Sequence, residues 1–524
     1  MKFMQYNQNQ TLLLPPSLVE CLPEDHLCFV IDDVVNSFNL SMIERGYVEE
    51  GHPAYHPKMM IKILFYGYTQ DVRSSRKLEN KTVEDIAFRY LSANAHLDHG
   101  TINLFRKTHL SELPFIFAQI IAAIKGLGLA DFSDLSLDGT KIKAQASTDN
   151  LFTKKEITRL KSRIETFLAE SDEVDLKEDK QFGKKRGYNQ MPEHLADPKV
   201  RREKIRKIQK KLADLNNAGR EIDRKQKEAK KDDKENKTQK GRRKQEKIRN
   251  LSSNTTDPEA SLMKMKDGLS RMAYNVGLTT AKQFIAAYDV SDNPSDTRSL
   301  PEMVKKTEEN TGQKVKKIKA DAAYFTKNNI NFLTDNQTEA FIPDTYMRAD
   351  QRKEDKAKKE NKPEKYDRKN FVYDKENDQF ICPEGKPLKR AKYDHNKGKD
   401  VRTYRGAQCQ DCSCRSLCTK GKIRSFTFDF ELEAMRQIMR TRLNTTEGRR
   451  KYGERLYEIE PVMADLKRNQ GLIEFLCRGK EMALVETGLA SSAHNLKKLF
   501  FGLKRIGMKR KEVDWSSLMK TQTA

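Results

Sequence analysis

The feature that most constrains the fold is an interruption. Residues 151–254 are rich in Lys, Glu, Asp and Gln and poor in aromatic residues, and strand patterns flank them on both sides. Before the interruption, Leu135 and Leu137 bracket Ser136 in a short alternating run that ends at Asp138-Gly139-Thr140, the period of a half-buried strand. Strand patterns resume only after Asp257-Pro258, where Tyr274 to Leu278 and Phe284 to Val290 read as the two arms of a hairpin. A sheet that uses all three runs must close across the charged stretch, which is then an insertion outside the core. A polar loop through Pro294 and Asp296 leads into a helix near Pro301 to Glu309. Val315 to Ala320 gives a strand ending at Asp321, and Ala340 to Ile342 a shorter one ending at Pro343-Asp344. Strands, a helix and further strands predict a mixed α/β sheet built from residues 131–150 and 255–345.

Residues 1–130 read as a separate helical domain. Met59, Met60, Ile63 and Leu64 recur at helical spacing after Pro57, which suits a first turn. Thr82 and Asp85 resemble a capping box before a stripe of Val83, Ile86, Ala87, Tyr90 and Leu91. Asp98-His99-Gly100-Thr101 and the following helix, which carries Arg106, Lys107 and His109, fit either a DNA-reading helix-turn-helix or a bundle with a basic face. Inside the insertion, Ile205, Ile208, Leu212, Leu215 and Ile222 form a coiled-coil or helical-hairpin seam. Arg224 to Arg249 has almost no apolar content, which predicts a solvated helix or disorder. Two readings of the insertion stay open: a dimerising or DNA-backbone-contacting element, and a charged helix with no specific partner. Residues 346–425 are Lys-rich and Cys-rich, and 426–524 read as C-terminal helices.

The formal charge of +24 points to a polyanionic partner. Nucleic acid is the first choice, because neutralised phosphates release counterions and give affinity without sequence reading. No run of 18 apolar residues exists and the start MKFMQYNQNQ has no signal-peptide core, so no membrane partner and a cytosolic location are expected. Five of the eight cysteines fall between 382 and 418, a pattern of metal binding rather than disulfides. Cys382, Cys409, Cys412 and Cys418 would supply four thiolates to a tetrahedral, structural Zn²⁺, with Cys414 as an extra candidate. Such a site would stiffen a segment with little apolar core of its own. Lys386, Lys389, Lys392, Lys397 and Lys399 surround it. Cys21, Cys28 and Cys477 read as core residues.

Asp138 and Asp321 each follow an apolar strand and precede small residues, and strand ends in α/β sheets are where ligands gather. Hard cations such as Mg²⁺ or Mn²⁺ take carboxylate oxygens, and two such ions can activate a nucleophile and stabilise a leaving oxygen on one phosphate. Glu460 is a third candidate acid, with Lys467 two helical turns on and on the same face. Pro461 cannot donate to Tyr457, so the helix must kink or restart there. Asp289, also after an apolar strand, is a rival ligand.

Asp138-Gly139-Thr140, Ala320-Asp321-Ala322-Ala323-Tyr324 and the Tyr452, Arg455, Glu460, Lys467 series resemble the DDE transposases of bacterial insertion sequences. Within them, the chain is most similar to the eleven-eighty-two group, inside the wider group carrying a Tyr-Arg-Glu-Lys signature. His56-Pro57-Lys58-Met59, Ser74 to Leu78, Asp98 to Arg106, Tyr274-Asn275-Val276 and Ala493-His494-Asn495-Leu496 extend the likeness over nearly the whole chain. The resemblance implies an RNase H-like core, with both aspartates on strands and the glutamate on a later helix. It also implies catalysis by Asp138, Asp321 and Glu460 with divalent metal, and DNA contacts by Tyr452, Arg455 and Lys467. The implied substrates are double-stranded transposon ends with terminal inverted repeats, cut and then joined to target DNA by a dimer or larger oligomer. One departure stands: the signature places three residues between Arg and Glu, and here four separate Arg455 from Glu460. A resolvase-like nuclease that does not join strands, or a non-catalytic DNA-binding derivative, would share much of this pattern.

Overall fold

The computed structural model describes residues 17–47, 53–109, 112–166, 180, 198–231, 248, 250–347, 352, 366–391 and 401–520. Apart from the single helical turn Ser41–Glu44, six helices precede the first strand among the described residues: α1 Leu27–Asn36, α2 Pro57–Thr69, α3 Ser75–Glu84, α4 Ile86–Leu91, α5 His99–Thr108 and α6 Leu113–Gly126. Pro57 starts α2 as expected, and the ring nitrogen of His56 caps it by accepting from the Lys58 amide. The capping box expected at Thr82 is not formed. Thr82 lies inside α3 and its hydroxyl donates to the Glu79 carbonyl, while Asp85 itself caps α4 through the amides of Ala87 and Phe88. That break resets the helical phase, so Ala87, Phe88 and Leu91 are buried, and Val83 and Ile86 face solvent.

The sheet closes across the insertion. Its strands are β1 Asp134–Lys143, β4 Ser261–Lys264, β5 Ser270–Ala281, β6 Phe284–Ser291, β7 Lys317–Ala320 and β8 Glu339–Phe341. β2 Leu151–Thr153 and β3 Ser252–Asn254 pair only with each other, at the neck of the insertion. β5 pairs antiparallel with β1 on one edge and with β4 and β6 on the other, while β7 and β8 continue the sheet in parallel from β1. The expected hairpin is β5–β6, turned through Lys282 and Gln283, both at positive φ, the backbone of a primed two-residue turn. Helices α8 Leu300–Thr311 and α9 Lys327–Asp335 make the crossovers to β7 and β8.

Within the insertion, residues 154–166 are helical and pack on α7, Pro198–Lys231. Leu215, Ala218 and Ile222 of α7 enclose Ile157, so this half of the expected seam is an intramolecular helical hairpin; Ile205 is exposed. Of the solvated stretch expected up to Arg249, residues 232–247 and 249 lie outside the described residues, as do Lys392, Lys397 and Lys399.

The Cys-rich segment is a five-stranded antiparallel sheet: β9 Val372–Asp374, β10 Gln379–Ile381, β11 Pro387–Arg390, β12 Val401–Arg405 and β13 Ser425–Asp429. It does have an apolar core, contrary to expectation. Phe371, Phe380, Leu388 and Tyr404 are buried there, and Phe426, Phe428 and Phe430 pack around them. β13 runs directly into α10 Phe430–Asn444, followed by α11 Thr446–Gly453, α12 Arg455–Glu458 and α13 Glu460–Ala464. A π-helical turn over Asp465–Asn469, the long helix α14 Lys480–Ile506 and the short helix Trp515–Lys520, which packs on α6, follow.

α14 packs on α2 and α6 of the first bundle and on β6 of the sheet. Bundle and sheet therefore share one core among the described residues. Buried Arg73 and Glu486 pair at 3.3 Å, and Arg73 also donates to the carbonyls of Gly471 and Glu474. The Glu486 carboxylate takes the amides of Leu476 and Cys477. A buried pair this well hydrogen-bonded fixes how the bundle meets the C-terminal loop.

Candidate active site

Alternation along β1 sends Asp134, Ser136 and Asp138 to one face. The parallel register sets Ser136 beside Lys319 and Leu137 beside Ala320, which brings Asp321 to the rung next to Asp138. Asp138 is inside β1 rather than at its end, because the ladder to β5 continues as far as Lys143. What ends there is the pairing with β7, so both aspartates stand where one edge of β1 opens. Asp321 caps the short 3₁₀ turn Ala322–Tyr324 through the Ala322 amide.

Helices α11 and α12 lie across this face, and a ladder of charges joins the layers. Lys451 Nζ meets Asp134 at 2.6 Å. Lys319 Nζ, on a side chain with no exposed surface, meets Glu458 at 2.7 Å, Asp134 at 2.9 Å and Glu454 at 3.1 Å. Ser136 donates to Glu458 at 2.6 Å, and Arg455 Nη2 meets Asp138 Oδ2 at 3.2 Å. Arg455 also donates to the Tyr452 hydroxyl and lies over its ring.

A third aspartate belongs to this region. Asp296, in the loop before α8, occupies the space a Cβ on Gly139 would need, and it accepts from Asn275 of β5. Burial pushes the Asp138 carboxyl above the usual carboxylate range, and the charges of Asp321 and Asp296 add to that push, against the Arg455 guanidinium and the Gly139 amide. Burial and Asp321 likewise raise Asp296, against the Asn275 hydrogen bond and Lys141. Asp296 escapes sequence reasoning because it sits in a polar loop without periodicity. The one signal for it is Gly139 inside a strand, which marks a close approach by another group.

Glu460 stands at the start of α13, exposed, with no hydrogen bond or ion pair among the described residues. Among the described residues no group of three or more His, Cys, Asp or Glu side chains is arranged to hold a metal ion. Asp138 and Asp321 are thus brought together and Glu460 is not joined to them. The helix does restart at Pro461, as its missing N–H requires. Lys467, on the π turn, donates to the Lys141 carbonyl of β1 at 3.3 Å, and burial with the nearby Lys266 charge lowers its pKa. π turns inside helices concentrate at functional sites.

Arg106 does not reach solvent. It is 5% exposed, donates to the Arg73 carbonyl and lies over the Tyr68 ring, because its place on α5 faces the shared core. Lys107 is exposed. Asp289 pairs with Lys306 of α8 at 2.6 Å, a strand-to-helix tie remote in role from Asp138. Cys382, Cys409, Cys412, Cys414 and Cys418 line one cavity between the β10–β11 turn and the segment after β12. Burial raises the Cys418 thiol, the nearby Cys409, Cys382 and Cys412 add to this, and Arg424 opposes it. Cys28 is buried as expected, Cys477 is half-buried, and Cys21 is exposed.

Two family models match the chain. One, described as a transposase DDE domain, matches residues 381–500 and so includes Arg455, Glu460, Lys467 and the clustered cysteines. The other, described as a transposase domain (DUF772), matches residues 16–108. Asp138 and Asp321 lie between the two matches. No curated protein and no solved structure matches.

Proposed function

We propose that the chain is an insertion-sequence DDE transposase of the eleven-eighty-two group, with an RNase H-like core, that cuts transposon ends and joins them to target DNA. The observation that carries this reading is the meeting of Asp138 and Asp321 at the open edge of β1, beneath a helix that sets Arg455 on Asp138. The two transposase matches on either side of that pair support it.

The aspartates fit a hard divalent cation. Their donors are carboxylate oxygens, and the burial that raises Asp138, with the neighbouring aspartate charges adding to it, is a cost a cation would relieve. Asp138 and Asp321, with Glu460 as third acid, would hold Mg²⁺ or Mn²⁺. Two such ions, when bound, supply activation of the attacking oxygen and stabilisation of the leaving one. Arg455 is the near cation of the site: it pairs with Asp138 in the free protein and would offer its remaining donors to a DNA phosphate. Lys467 and Tyr452 bind and orient the strand, and exposed Lys107 contacts the backbone. The transposon ends are held by a dimer or larger assembly in the cytosol; no helix among the described residues is long and apolar enough to cross a membrane.

A labelled duplex of the DNA flanking the gene, incubated with protein and Mg²⁺, separates the readings. Strand transfer products are expected. Cleavage without joining would favour a resolvase-like nuclease, and binding alone a non-catalytic derivative.

Cys382, Cys409, Cys412 and Cys418 would hold a structural Zn²⁺: they line one cavity, although among the described residues their thiols are not yet arranged as a metal-holding group and would have to close on the ion. One zinc per chain is expected by elemental analysis, lost in Cys412→Ser with destabilisation of residues 366–429. Wild-type protein with no zinc would overturn this assignment.

A further inference from the structure

Lys319 is a lysine with no exposed side-chain surface, inside a sheet, two residues before Asp321. Burying an ammonium group is strongly unfavourable unless charges and hydrogen bonds surround it, and this one touches three carboxylates. One of them, Asp134, is on β1; the other two, Glu454 and Glu458, come from the helical layer across the sheet. Glu458 is held a second time by Ser136, the β1 residue directly beside Lys319 in the parallel register. Lys451 closes the network by meeting both Asp134 and Glu454.

The network lies two rungs behind the aspartates on the same strands: Ser136 precedes Asp138 by two residues and Lys319 precedes Asp321 by two. On the helical layer, Glu458 follows Arg455 by three residues and precedes Glu460 by two. Contacts to Lys319 therefore fix both the height and the rotation of the segment that carries Arg455 and Glu460. Without the ammonium group, Asp134, Glu454 and Glu458 would face one another with Lys451 shared by Asp134 and Glu454, Arg450 on the outer side of Glu454 and no cation among the described residues on Glu458, and the helices would be repelled from β1 and β7.

We propose that Lys319 is the positioning residue of the cleavage site: it clamps α11 and α12 onto the two aspartate-bearing strands through Glu458 and so sets Arg455 against Asp138 and fixes the segment that leads to Glu460. Glu458 is then the latch of this clamp and not a metal ligand. The proposal rests on the reading of Asp138 and Asp321 as the cutting site.

Lys319→Met, close in volume and uncharged, tests it in the full-length protein. Single-turnover cleavage of the flanking-DNA duplex is measured per folded molecule, well below the melting temperature, across a Mg²⁺ series. Misplacing a reacting group by about 1 Å lowers rates on the order of 100-fold, so a loss of at least about tenfold is expected. The half-saturating Mg²⁺ concentration should rise, with duplex affinity within about twofold of wild type. A buried residue that only stabilised the fold would lower the melting point and leave rate and metal requirement unchanged; that result would overturn the proposal. Should Lys319→Met not fold, Glu458→Gln carries the same test, since Lys319 keeps Asp134 and Glu454. A partial loss with a raised metal requirement supports the latch. Wild-type behaviour overturns it, as does a loss as complete as that of Asp138→Asn, which would make Glu458 a ligand. Asp138→Asn and Asp321→Asn run alongside: full cleavage by either would fail the underlying site reading, whereas their loss beside a fully active Lys319→Met would fail only the clamp.

Discussion

A methyl group at position 139 would stand 2.5 to 2.9 Å from the carboxylate atoms of Asp296. Gly139→Ala should therefore displace Asp296 and destabilise the protein by about 1–3 kcal/mol, the usual range for overpacking; an unchanged melting temperature would show that the loop simply moves aside. Asp465 is a second residue with a readable consequence. Burial alone would raise its carboxyl, but hydrogen bonds from His494 and Asn469 and the charge of Lys497 hold it below the usual range. A depressed carboxyl contributes stability that is present above its unfolded pKa and lost as pH falls through the folded value. Asp465→Asn should thus be clearly less stable than wild type at neutral pH, with the gap closing in acid below about pH 4. A gap that persisted in acid, followed by denaturant titration, would contradict that assignment. Asp138 and Asp321 stand out in the sequence because each follows a short apolar run, a local pattern, although Asp138 lies inside β1 and not at its end. Asp296 and the burial of Arg106 are not, because both depend on which distant element packs against them.

The elements explain one motif that resemblance alone leaves without a role. In Ala493-His494-Asn495-Leu496, the Asn495 side chain accepts from the Ile285 amide and donates to the Ile285 carbonyl, at 2.8 Å each. His494 spans Asp465 and the Gln283 carbonyl. α14 thus grips the β5–β6 turn and ties it to the π turn that carries Lys467. Asn495→Ala removes two buried backbone partners and should destabilise by about 2–4 kcal/mol; a loss under about 1 kcal/mol in chemical denaturation would mean water replaces them. Helix α2 and the β5–β6 hairpin follow directly from periodicity and Pro57. The break at Asp85 does not, because a capping box and a single aspartate cap compete within four residues. The restart at Pro461 was dictated by covalent chemistry and is therefore legible.

For the whole molecule, the closure of β1 onto strands more than 100 residues later follows from the periodicity, since no nearer run could pair with it. The sharing of one core by bundle and sheet does not, because α14 carries apolar residues on several faces and its partners are set by the tertiary fold. The charge of +24 has a global consequence. If binding neutralises about 6–10 phosphates, duplex affinity should fall by roughly 10³- to 10⁵-fold between about 50 and 200 mM salt. A nearly flat salt dependence, measured by filter binding, would argue against DNA as the partner of that charge. In the proposed function, Asp138 and Asp321 together would hold the metal that cuts DNA. The most direct test is Mg²⁺-dependent cleavage of the flanking-DNA duplex by Asp138→Asn and Asp321→Asn, with duplex affinity measured in parallel. Each variant is expected to bind like wild type and to lose cleavage by more than about 1000-fold, the scale on which site electrostatics act; cleavage within about tenfold of wild type by either variant would remove that aspartate from the site.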